Sequence, residues 1–143
     1  MNIVPLTNEE QIKTDCQFKV IVKYTDFTST VAATAQTINI TGVPAGFVFS
    51  KIISHTITAF TGGAISAYGI SMGTSTAGTV ALLANNSAFT APILTNTAVA
   101  LTSVAATTIT ATATPVTGAC SAATAGEVHY YFQAFAIPAY QSQ

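Results

Sequence analysis

Ionisable side chains are scarce in this chain, and their placement decides what chemistry it could do. Between Lys51 and Glu127, His55 is the one side chain that titrates readily near neutral pH, the Cys120 thiol aside. General acid and base work needs titratable groups converging on a cleft, so most of the chain has none to offer. His129 follows Glu127 by two residues, which puts both on one face of a strand, where they could contact a metal. Two ligands do not complete a site, and a surface pair at the start of a strand is the better reading. His55 falls on the predicted core face of a strand, where a neutral, hydrogen-bonded histidine is the better reading. Cys120 with either histidine would make a thiol nucleophile, but no third group that would orient the base can be named. The expectation is a non-enzyme with no catalytic, cofactor-binding or metal-binding residues and no cofactor.

Three other patterns carry little more. Tyr130, Tyr131, Phe132 and Phe135 would make a sugar-stacking surface, although core and interface aromatics account for them better. Asn39-Ile40-Thr41 and Asn85-Asn86-Ser87 match the glycosylation sequon by chance, since the N-terminus lacks the basic start and apolar run of a secretion signal. Gly62-Gly63 joins two strands rather than a strand and a helix, so it is no phosphate loop.

The elements that would position these groups are strands. The stretch GVPAGFVFSKIISHTITAFTGGAISAYGISMG, Gly42 to Gly73, reads as a turn at Val43-Pro44-Ala45-Gly46, a strand from Phe47, and a hairpin closing at Gly62-Gly63. In that register Ile57 faces Tyr68, His55 faces Ile70 and Ile53 faces Met72 on an apolar core face. Thr58, Thr56 and Ser54 then take the other face. Gln17 to Thr25 alternates, with Phe18, Val20, Val22 and Tyr24 on one side. Further strands are expected at Ala35 to Ile40, Val80 to Leu83, Ala98 to Ser103, Thr107 to Thr114 and Glu127 to Ile137. Asp26 to Thr30, Thr74 to Thr79 and Pro115 to Gly126 are loops, and Asn85-Asn86-Ser87 breaks a strand. In the Ala/Thr-rich region, the Thr110, Thr112, Thr114 alternation and Pro115 favour strand over helix. Met1 to Cys16 reads as an N-terminal arm with a short helical turn near Asn8-Glu9-Glu10, and residues 17–143 as a single domain. About eight short strands and no long helix predict an all-β fold: an antiparallel β-sandwich, most simply a jelly roll, with an extended N-terminal arm.

Composition limits the partners. The chain is 143 residues long, the size of one domain. Charged residues make up 6% of it, against about 25% in ordinary soluble domains, while hydrophobic residues reach 50%. Such apolarity without a membrane-length run points to subunit interfaces, with no membrane partner. Net charge is −1, there is no Arg, and Lys13, Lys19, Lys23 and Lys51 are the only lysines, so no nucleic acid is expected. Cys16 and Cys120 read as free, partly buried thiols of a chain made in a cytosol.

The segment from Gly42 to Gly73, the strand FKVIVKYTDFTST and the ending TAGEVHYYFQAFAIP resemble a group of small β-rich virion structural proteins of tailed bacteriophages. The resemblance spans most of Phe18 to Pro138 and rests on pattern and short phrases. It implies a structural protein of the virion, a jelly-roll capsid decoration or cement protein that bridges and stabilises major capsid subunits. Its implied partners are the major capsid protein and further copies of itself, as a homotrimer, at the capsid surface after assembly in the bacterial host cytoplasm. It carries over no functional residues. The alternative it leaves open is a tail- or fibre-associated structural protein that binds a host glycan.

Overall fold

The computed structural model of the chain describes residues 2–41, 47–74, 81–88, 93–103 and 109–136. The expected turn at Val43 to Gly46 lies outside them, as do most of the loop from Thr74 to Thr79 and the last residue of the strand expected to end at Ile137. The described chain is mostly strand with one short helix. In chain order the elements are β1 (Val4–Pro5), α1 (Asn8–Thr14), β2 (Phe18–Lys23), β3 (Gln36–Ile40), β4 (Phe47–Thr61), β5 (Tyr68–Thr74), β6 (Ala81–Ser87), β7 (Ile93–Ser103), β8 (Ile109–Pro115) and β9 (Ala125–Ala136). Short 3₁₀ turns at Tyr24–Asp26 and Cys120–Ala122 lie in the connections.

Two antiparallel sheets result, a sandwich-like all-β fold. One runs β1-β2-β9-β4-β7 and the other β3-β8-β5-β6. The inward rows follow from alternation. Phe18, Val20 and Val22 of β2 sit in register with Phe132, Tyr130 and Val128 of β9, and all six are buried. They meet Ile70 and Met72 of β5, Ile109, Ala111 and Ala113 of β8, and Leu82 and Leu83 of β6 in one core cluster. Each large side chain so buried contributes about 1.5–3 kcal/mol. The Ala/Thr pattern of β8 is explained by its place: Ala111 and Ala113 are fully buried, while Thr112 is half-exposed and shares a 2.8 Å hydroxyl–hydroxyl hydrogen bond with Thr37.

The expected hairpin across Gly62-Gly63 does not form. β4 pairs with β7 and β9, whereas β5 pairs with β6 and β8, so the chain crosses between sheets at the two glycines. Neither glycine takes a positive φ; among the described glycines only Gly118 and Gly126 do. The Ile65 N–H instead donates to the Gly62 carbonyl at 3.1 Å, and the Thr124 N–H to that of Thr61 at 2.7 Å. Gly62 is required by contact, since a Cβ there would lie 2.1 Å from the Ala122 carbonyl oxygen. The expected facing of β4 is also reversed. Ile52, Ser54 and Thr56 point inward and Ile57 is exposed. A register shift between Phe49 and Lys51 switches the parity after buried Phe49. Small Ser54 and Thr56 then lie beside bulky Tyr130 and Val128, which fill the space.

The segment expected to extend as an arm folds back onto the domain. Val4–Pro5 pairs with Lys19 and Phe18, Asn2 bridges Thr41, and Ile3, Leu6 and Cys16 are buried. The expected helical turn extends to Thr14, started by a capping box. The Glu10 N–H donates to Thr7 Oγ1 at 3.3 Å, and the Thr7 N–H donates to Glu10 Oε2 at 3.0 Å. Asn85, Asn86 and Ser87 continue β6 rather than breaking it. Phe27, read as part of a polar turn, is a core residue 2% exposed.

Candidate functional site

Both histidines lie with charged side chains on the outer face of β2, β9 and β4, because strand alternation sends the residues between the core rows outward. Register sets them in rows: Lys23, Glu127 and Thr58; Ile21, His129 and His55; Lys19, Tyr131 and Ile53. His55 and His129, 74 positions apart by their numbers, are thus direct cross-strand partners. His55 is half-buried on this outer face rather than in the core. Sequence spacing could not reveal the pairing, since it joins strands remote in the chain.

At the centre, His129 Nε2–H donates to Glu127 Oε1 at 2.6 Å and the Tyr131 hydroxyl lies 3.4 Å from Nδ1. Lys23 Nζ stands 3.8 Å from Glu127 Oε2. Burial pushes the Tyr131 phenol up. A carboxylate-held imidazole is the pairing of a general base, but among the described residues no thiol or aliphatic hydroxyl is bonded to it. Further along this face Lys19 Nζ pairs with Glu10 Oε1, and Gln133 Nε2 donates to Asp15 Oδ2 at 2.7 Å, with Lys51 Nζ 3.9 Å away. These are pairwise contacts, each satisfied by its neighbour.

The remaining sequence candidates scatter. Cys120 lies in the core, its S–H donating to the Thr34 carbonyl at 3.6 Å, and burial pushes its thiol up and away from thiolate. Cys16 is likewise free and fully buried, its thiol raised by burial. Tyr130 and Phe132 are core residues, with the Phe132 ring 5.2 Å from that of Phe49, while Tyr131 faces outward. The four aromatics of the final strand therefore do not share one stacking surface. The Phe135 side chain lies outside the described residues. Comparison with family models, with curated proteins and with solved structures found no match. Among the described residues no group of three or more His, Cys, Asp or Glu side chains could hold a metal ion. No helix among them is long and apolar enough to cross a membrane.

A shallow groove of about 420 Å³ runs between α1 and the start of β2, lined by Asn8, Gln11, Ile12, Asp15 and Gln17. Its polar groups are turned to the protein itself. Gln11 Nε2 donates to the Leu6 carbonyl at 2.9 Å, and Gln17 Oε1 accepts from the Ala134 N–H at 2.7 Å. The outer face and this groove together read as a surface that is held in shape by paired contacts.

Proposed function

We propose that this chain is a non-enzymatic structural protein of a virion, a capsid decoration or cement protein that bridges and stabilises major capsid subunits. The observation that carries the reading is the strand order. With β1 set aside, we read the orders β2-β9-β4-β7 and β3-β8-β5-β6 as those of an eight-stranded jelly roll. That architecture serves viral capsid and lectin domains among others, so it supports the reading by fold-level analogy. The sequence resemblance to small virion proteins of tailed bacteriophages points the same way. So does chemistry: histidine, lysine and carboxylate groups are engaged in pairs on one open sheet face.

The physical demands of such a role agree with the molecule. A cement protein must be rigid, and most of the described residues lie in paired strands around one core cluster. It must also present surface that is covered in the particle, and a chain with 6% charged residues has few charges to desolvate there. The test is electron microscopy of intact particles labelled with an antibody against the chain. Label spread over the head is the expected result. Label confined to the tail or its fibres would overturn it in favour of a tail-associated protein, and particles without label would remove both.

A further inference from the structure

We infer that Lys51 and Gln133 join in an isopeptide bond that this chain forms on itself, a covalent staple between β4 and β9. An irregularity of β4 puts the parts in place. The register passes from Phe49↔Ala134 to Lys51↔Gln133, so Ser50 is an extra residue and both it and Lys51 stand opposite Gln133. Buried Phe49 and Ile52 point inward on either side of them, while Ser50, Lys51 and Gln133 are half-buried on the outer face. A bulge re-aims side chains, and here it turns two of them toward one amide.

Each end of that amide is held by a partner of matching chemistry. Ser50 Oγ–H donates to Gln133 Oε1 at 2.8 Å, with the Gln133 backbone carbonyl oxygen farther off at 3.5 Å. Gln133 Nε2–H donates to Asp15 Oδ2 at 2.7 Å, and Lys51 Nζ lies 3.9 Å from the same oxygen. Asp15 is brought there as the C-cap of α1, where it takes the left-handed conformation at φ 54° and its N–H donates to the Gln11 carbonyl at 2.8 Å. Positive φ is uncommon outside glycine, and here it delivers one carboxylate to two side-chain nitrogens. The Lys51 side chain is 22% exposed, so most of its stem lies along the protein and its amine stays beside Gln133.

An amide resists an amine because its carbonyl is weakly electrophilic, the amine carries a proton and the nitrogen leaves poorly. Each group here acts on one of these obstacles. The Ser50 hydrogen bond polarises the carbonyl and stabilises the negative charge that develops on Oε1. Asp15 takes a proton from the Lys51 ammonium and supplies one to Nε2 as it leaves. Cross-strand placement makes the encounter intramolecular. The Nζ–Cδ bond forms, the Cδ–Nε2 bond breaks, and the two protons lost by the lysine ammonium depart with Nε2 as an ammonium ion. The balance needs no oxidant or co-reactant. The reaction runs once per chain, and it would tie two neighbouring strands of the five-stranded sheet together covalently. This goes beyond the proposed structural role, and its test uses no particles, so either can fail alone.

The test is intact-mass spectrometry of the purified full chain, followed by sequencing of its proteolytic peptides. Wild type should weigh one ammonia less than its sequence requires, and the peptides holding Lys51 and Gln133 should emerge as one branched species. Lys51→Arg should return the chain to full mass, and Asp15→Ala should form the link about 100-fold more slowly, the share expected of a general acid–base group. A wild type at full mass would overturn the inference. So would a loss of ammonia that survives in Lys51→Arg, the mark of an asparagine succinimide, a loss of water joining Lys51 to Asp15 instead, or an Asp15→Ala chain that links as fast as wild type. Should a variant fail to fold, the wild-type digest decides: the branched peptide upholds the bond, and separate Lys51 and Gln133 peptides overturn it.

Discussion

The two sides of the sandwich are built differently. On the β1/β3 side the chain's start crosses from sheet to sheet: the Ile3 N–H donates to the Thr41 carbonyl at 2.8 Å and the Leu6 N–H to that of Gln17 at 2.8 Å. That side also carries α1 and its charges, Glu9 with Lys13 at 2.6 Å and Glu10 with Lys19. On the β6/β7 side there is no ionic residue in either strand, and among the described residues both sheet orders end there. The same chain thus gathers its N-terminal crossing and the ion pairs of α1 on one flank and leaves the strands of the other without an ionic residue.

The largest expected effect tests what the two flanks have in common. Leu6 beneath the crossing segment and Leu82 of β6 are 5% and 3% exposed. Leu6→Ala and Leu82→Ala should each cost about 2–5 kcal/mol in urea unfolding, a large part of the roughly 5–15 kcal/mol stability of a domain. If Leu6→Ala were neutral, the N-terminal segment would be an attachment to the sandwich and the contrast between the flanks would fall.

The next effect separates two neighbouring glycines. Gly62→Ala drives a Cβ to 2.1 Å from the Ala122 carbonyl oxygen, so backbone must shift. About 1–3 kcal/mol should be lost, the usual range for overpacking. Gly63→Ala meets nothing within 4 Å and has no positive φ to lose, so it should be neutral or stabilise by up to about 1 kcal/mol. Equal effects would show that the crossing between sheets is placed wrongly at this point.

Those glycines mark where sequence reading ran out. A Gly-Gly pair between two β-rich runs announces a reversal, but not whether the runs pair with each other or pass to different sheets. The decision lies in partners remote in the chain, β9 for β4 and β8 for β5. The parity of β4 was hidden for a related reason: the irregularity near Ser50 is a property of the ladder, and with it Ser54 and Thr56 turn inward beside Tyr130 and Val128. By contrast β2 was legible because its apolar row, Phe18, Val20 and Val22, alternates without interruption and all of it is buried. The Ala/Thr strand β8 was legible from the alternation of β-branched Thr110, Thr112 and Thr114 and from Pro115. Of the outer-face cluster, the Glu127–His129 contact followed from local spacing, while His55 opposite His129 depended on tertiary register.

A smaller effect probes the charged flank. Thr7 accepts from the Glu10 N–H at the start of α1, and Thr7→Ala removes that acceptor at an exposed site. The expected cost is about 1 kcal/mol, read as a lower midpoint in thermal unfolding. Thr7→Ser should restore most of it. A neutral Thr7→Ala would mean that α1 is held by Leu6 and Cys16 packing alone.

The smallest effect is electrostatic and should be confined to that same flank. The Lys19 ammonium, with the backbone N–H of Thr7, holds the Glu10 carboxyl at about 2, below its ordinary 4.5. A carboxyl with a depressed folded-state value stabilises the fold above about 4.5, and the contribution drains away as pH falls from 4.5 toward 2. Glu10→Gln keeps the capping hydrogen bond and removes the charge. Wild type should therefore lose thermal stability more steeply than Glu10→Gln across that window, and the two curves should converge at its acid end. Both partners of the ion pair are partly exposed to water, so the difference should be small and should shrink in 1 M salt, where the screening length is about 3 Å. Hydrogen exchange locates the change. Amides of α1 and β2 should open as Glu10 is protonated, while those of β5 and β8, strands without a carboxylate, should not respond to this group. Parallel pH curves for the two proteins would show that the charged flank contributes no stability of its own, leaving the apolar core and the backbone ladders to hold both sides alike.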